Sequence, residues 1–128
     1  MRTRLLIGAV ALMLVGCSPE ADERGTPSTS ESTTEAIAIS LADFMLDPDD
    51  VTATGPTLTF EVTNDGPTPH NFTVRNDADE VVAATDDLSA GESETLDAEL
   101  EPGTYTIFCS LAGHESLGMS GTLTVTGP

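Results

Sequence analysis

The segment YTIFCSLAGHESLGMSGTLTV, Tyr105 to Val125, holds two alternating apolar runs on either side of a short loop. Side chains on a strand alternate between faces, so residues two apart share a side. In the first run Tyr105 and Ile107 share one face, and Cys109 follows them inward at the strand's end. In the second, Leu123 and Val125 point inward, and counting back by twos reaches Met119. His114 lies in the loop between. The spacing is Cys-x4-His-x4-Met, which lets one loop present three potential donors to a common point.

Upstream runs follow the same parity. In TLTFEV the apolar set is Leu58, Phe60 and Val62; in HNFTV it is Phe72 and Val74, which places His70 on the same inward face at the beginning of its strand. Turn signals such as DPDD, ATGP, NDGPTP, SAGE and EPGT separate these runs. Strands are predicted over 36–42, 44–53, 57–64, 69–76, 80–85, 92–99, 103–109 and 119–126. No segment keeps a helical period, and no internal repeat is visible. The expected class is all-β, a Greek-key β-sandwich of about eight strands. Tyr105, just after the EPGT turn, resembles the tyrosine corner of such folds.

The chain has 128 residues, 38% of them hydrophobic, with no Trp, one Tyr and four Phe, so its core is small. Its start, MRTRLLIGAVALMLVGCS, carries Arg2 and Arg4, an apolar run from Leu5 to Val15, and then Gly16 and Cys17. This is the pattern of a secretory signal, too short for a comfortable membrane span. Its ending, LVGC, resembles a bacterial lipobox, which implies cleavage before Cys17 and lipidation of that residue. Residues 17–35, rich in Ser, Thr, Pro and Glu, are expected to form a disordered tether from the lipid anchor. Residues 36–128 are the expected folded domain.

This division leaves Cys109 alone in an exported, oxidising compartment, where no disulfide can form within the chain and a free thiol needs burial or a metal. The net charge is −18, and there is no lysine. Without the signal, Arg24 and Arg75 oppose 22 acidic residues, 2 − 22 = −20. Such a surface excludes nucleic acid and anionic lipid as partners and steers toward cationic ones; it equally fits solubility in a salty habitat.

Taken singly, Cys109 reads as a small buried hydrophobe, the histidines as surface polar groups and Met119 as core filler. Jointly those readings fail, because the chain's two histidines both fall on the site beside the one cysteine other than Cys17, the residue expected to be lipidated. A thiolate, two imidazoles and a thioether form the soft set of blue-copper electron-transfer sites, with a weak axial Met. Zinc seldom takes the thioether.

On these residues the region from Ala36 to Pro128 resembles a cupredoxin of the plastocyanin and azurin superfamily. PHNF, Pro69 to Phe72, is similar to the first-histidine motif, and Tyr105 to Val125 to the ligand loop and last strand. The loop spacing is nearest that of auracyanin-like and rusticyanin-like members. DFMLDPDDVTATGPTLTFEVTN resembles the second and third strands. The resemblance implies one copper ion held by His70, Cys109, His114 and Met119, with Asn71 bracing the ligand loop by hydrogen bonding near Ser110.

The expected function is a blue copper carrier of single electrons, not an enzyme, lipid-anchored at the outer face of the bacterial cytoplasmic membrane. Its expected partners are redox proteins such as cytochromes or membrane oxidoreductases, and the carrier itself is a monomer. Electrons are expected to pass through His114, with Leu111, Ala112, Leu117 and Pro69 as an apolar contact patch. A multicopper enzyme needs more histidines, and a binuclear copper domain needs a second thiolate in the loop. A copper storage or delivery protein is the alternative. An interaction module on the same scaffold fits the intact ligand set poorly.

Overall fold

Residues 35–128 are described by a computed structural model, and there alternation and turn residues have their expected effect. The expected signal (1–16), Cys17 and all of the tether except Glu35 lie outside the described residues. Nine strands follow in order: β1 (Ile37–Ala42), β2 (Met45–Asp47), β3 (Asp50–Thr54), β4 (Thr57–Asn64), β5 (Thr73–Arg75), β6 (Val81–Ala84), β7 (Ser93–Glu99), β8 (Gly103–Phe108) and β9 (Ser120–Thr126). A single 3-10 turn, Glu115–Leu117, interrupts the loop between β8 and β9.

Two sheets form, one in the order β2-β1-β4-β7 and the other β3-β9-β8-β5-β6. The pairs β1 with β4 and β3 with β9 are parallel, and the remaining pairs are antiparallel. The chain crosses between sheets from β2 to β3, from β3 to β4, from β4 to β5, from β6 to β7 and from β7 to β8, giving a Greek-key sandwich. Inward residues of both sheets fill the core: Leu58, Phe60 and Val62 from β4, Ile39 and Leu41 from β1, Val74, Ile107, Leu123 and Val125 from the other sheet. The Phe60 and Phe72 rings meet across it, with centroids 5.1 Å apart.

Two predicted strands differ from the structure. The run 44–53 is two strands in different sheets, because Pro48 lacks an N–H and the chain turns there to reach β9, where Thr122 N–H bonds to the Asp49 carbonyl at 2.8 Å. The run 69–76 shortens to Thr73–Arg75. His70 instead makes an isolated bridge with Leu88, and Phe72 N–H bonds to the Thr85 hydroxyl at 3.0 Å, so a side chain replaces the ladder. Phe108, outside the predicted core set, is 7% exposed because Arg75 covers its ring at 4.4 Å.

Candidate metal centre

Three of the four expected ligand residues, His70, Cys109 and His114, bring their donor atoms together, and Met119 is tied to two of them through its backbone. Phe108 pairs with Ser120 at the end of the β8–β9 ladder, and one step further Cys109 N–H bonds to the Met119 carbonyl at 3.1 Å. Met119 N–H in turn bonds to the His114 carbonyl at 3.1 Å. The nine residues between Cys109 and Met119 therefore close as a loop on top of a ladder. Cys109 and Met119 are fully buried, and His114 is half-buried.

His70 arrives from the other sheet crossover. Asn64, wholly buried at the end of β4, donates from Nδ2 to the carbonyls of Thr68 and Leu88, each at 2.8 Å, and accepts Gly66 N–H at 2.9 Å. One amide thus shapes the loop that carries His70, and the bridge to Leu88 holds its far side. Serving three backbone groups of this loop, two of them in buried bonds, explains a polar residue where strand parity calls for an apolar one.

Cys109 Sγ, His70 and His114 present ligand atoms that all lie within 4.8 Å of one another. His70 Nδ1 and His114 Nδ1 are 3.1 Å apart, and Cys109 Sγ is 3.5 Å from His114 Nδ1. Metal bonds of roughly 2.0 Å to imidazole nitrogen and 2.3 Å to thiolate sulfur set donors about 3.3 to 3.6 Å apart around one tetrahedral ion. The observed separations match that spacing, and the soft donor set fits copper. Met119 is fully buried and is bonded through its backbone to both Cys109 and His114.

Asn71 ties the two halves together. Its Oδ1 accepts Ser110 N–H at 2.8 Å and its Nδ2 donates to Ser110 Oγ at 2.9 Å and to Asp87 Oδ1 at 2.8 Å. Its own N–H points at Cys109 Sγ, 3.5 Å away, and so helps orient the sulfur.

Several participants escaped the sequence reading. Asp43, between β1 and β2, accepts a bond from His70 Nε2 at 3.0 Å and one from the Thr68 hydroxyl at 2.6 Å. Its carboxyl is held below the usual carboxylate range, first by the Thr68 hydroxyl and further by His70, with desolvation opposing. Arg75 grips Glu115, the residue after His114, through both terminal guanidinium nitrogens at 3.1 and 2.5 Å. That pairing raises the Arg75 pKa further, against partial desolvation. On the His114 loop Leu117 is 60% exposed and Ala112 is exposed, as is Pro69 next to His70, whereas Leu111 packs on the core. Phe44, 54% exposed, adds a ring edge-on to His114 at 6.4 Å. Arg75 had a visible signal, being the sole Lys or Arg of residues 35–128; Asp43 had none among so many acids.

No curated protein matches the chain significantly. Among solved structures, the dithionite-reduced auracyanin of the photosynthetic bacterium Roseiflexus castenholzii is similar with a TM-score of 0.64 at 26% identity, over 71% of this chain and 96% of that one. Auracyanin B gives 0.63 at 23% identity, over 71% and 88%. The azurin Az-iso2 of the methylotroph Methylomonas sp. strain J gives 0.64 at 20% identity, over 71% and 97%, a likeness of fold. The model of the cupredoxin-like domain matches residues 6–125, nearly the whole chain. With that match, the sandwich and the converging donors, this chain belongs to the cupredoxin-like family.

Proposed function

We propose that this protein is a single-copper electron carrier, in which His70, Cys109 and His114 would be the strong ligands and Met119 a weak one. The observation that carries the reading is the convergence of one thiol and two imidazole nitrogens within 4.8 Å at the buried end of a rigid sandwich. The similar auracyanin was crystallised in a chemically reduced state, which supports a redox role here. Copper, when bound, supplies a one-electron couple.

The chain's own residues do the rest. Cys109 and His70 are sealed from water, Asn71 holds Ser110 at the root of the ligand loop, and the Arg75–Glu115 pair fixes the residue beside His114. Ligands so fixed rearrange little when the charge of the site changes, which keeps exchange fast. His114 is the half-buried ligand, with Phe44 exposed beside it, Leu117 and Ala112 exposed on its loop and Pro69 exposed next to His70, and electrons pass through its ring edge.

The protein is further proposed to be anchored through a lipid on Cys17 at the outer face of the cytoplasmic membrane, meeting cytochromes or membrane oxidoreductases. Support for this comes from LVGC and the Ser/Thr/Glu-rich segment that follows.

The purified protein with Cu(II) is expected to bind one ion and show an intense visible thiolate-to-copper band, narrow hyperfine splitting and a reversible one-electron wave. Cys109→Ser is expected to abolish the band. A colourless protein that gives up its copper to a mild chelator ends the electron-carrier reading.

A further inference from the structure

The tip of the β1–β2 hairpin, Asp43 and Phe44, reaches both imidazoles of the site. Ala42 pairs with Met45, so the tip is a two-residue turn, and Phe44 adopts a φ of 63°, a conformation uncommon for a bulky side chain. Two glycines make room for it. A Cβ on Gly66 would lie 2.9 Å from the Ala42 Cα and 3.2 Å from His70 Nε2. On the other side, Gly118 has a φ of 121°, and a Cβ there would lie 2.9 Å from the Phe44 carbonyl oxygen. The tip is therefore wedged between the loop that carries His70 and the loop that carries His114 and Met119.

We infer that this hairpin tip is an outer cap of the metal centre in which Asp43 is a positioning residue: it fixes the tautomer of His70 and holds the reduction potential of the site down. The inference rests on the copper reading above. An ionised carboxylate only accepts hydrogen bonds, so the 3.0 Å contact places the proton on His70 Nε2 and leaves the Nδ1 lone pair facing Cys109 and His114. A carboxylate behind a ligating imidazole raises its basicity. Its negative charge, one ring away from the ion and only partly screened at 35% side-chain exposure, favours the more positive oxidation state. The Thr68 hydroxyl, 2.6 Å from the same oxygen, holds the carboxylate in this orientation.

Two measurements on the full protein test this. In the copper-free protein, nitrogen NMR is expected to find His70 as the Nε2–H tautomer, and Asp43→Ala is expected to give a mixture. In the copper protein, Asp43→Asn is expected to keep the visible band and raise the potential by a tenfold or larger shift of the Cu(I)/Cu(II) balance, 59 mV for a one-electron couple. Thr68→Val is expected to move it the same way by less. Glu99→Gln removes one charge at the far end of β4 and β7, where Glu99 pairs with Thr57, and serves as the control. An intact band with Asp43→Asn moving the potential no further than Glu99→Gln overturns the inference. Absence of the band in the unmodified protein overturns the copper reading instead, and the tautomer then decides: His70 keeping Nε2–H in Asp43→Ala overturns the role of Asp43.

Discussion

Met119 occupies a fully buried place between two candidate ligands, its N–H on the His114 carbonyl and its own carbonyl on Cys109 N–H. A thioether adds little electron density to copper, yet the oxidised ion gains more from an extra donor than the reduced one does. Met119→Leu, similar in volume and gentle on packing, is expected to keep the visible band and raise the potential. Met119→Gln brings a harder amide oxygen and is expected to lower it. Shifts of about one tenfold step, 59 mV, or more are expected in each direction; voltammetry that finds all three proteins alike makes Met119 a core residue only. At this scale the site was legible because its donors are rare: two histidines and one cysteine beyond Cys17 leave few combinations. Asp43 was illegible for the opposite reason. It is one of 22 acidic residues, and only the fold distinguishes the one that touches His70.

Among the elements, the loop from β8 to β9 depends on a clamp from β5. Arg75 stacks on Phe108, just before Cys109, and grips Glu115, just after His114. Their side chains are 26% and 35% exposed, so screening limits the ion pair to about 1 kcal/mol despite its two-pronged geometry. The stack adds roughly 0.5–1 kcal/mol. Arg75→Met is expected to lower the unfolding free energy by about 1–2 kcal/mol in a urea titration with an unchanged slope. Glu115→Gln is expected to lose about 1 kcal/mol or less, since the stack on Phe108 survives. A loss from Arg75→Met no larger than that of a neutral surface change shows that the pair does not hold the loop. Strand positions were legible where alternation is unbroken, as in β4, predicted and found over 57–64. They were not legible at Pro48, where a proline diverts the run into the second sheet, nor at 70–72, where Leu88 and the Thr85 hydroxyl take the ladder's place.

At the scale of the whole molecule, the folded region sets Arg75 alone against 18 acidic residues, and that one cation is engaged inside the fold. The outer surface is therefore almost uniformly negative, which favours cationic docking partners at low salt. The proposed delivery to a membrane rests on Cys17. The full chain expressed in a bacterium is expected to partition with membranes and take up labelled fatty acid, and Cys17→Ala is expected to lose both. Equal labelling in that variant shows the lipid is not on Cys17. The sequence by itself determined the class of fold and the candidate donors His70, Cys109 and His114, because alternation with period two and the scarcity of His and Cys are properties of the chain read locally. Only the tertiary structure decided which strands are neighbours: the parallel pairs β1 with β4 and β3 with β9 join segments far apart in sequence, and no local pattern encodes a partner. The same holds for the contacts that tune the site. Asp43 meets His70 and Arg75 meets Glu115 across gaps of 27 and 40 residues, contacts that sheet closure brings about and that, at the Asp43 tip, Gly66 and Gly118 leave room for.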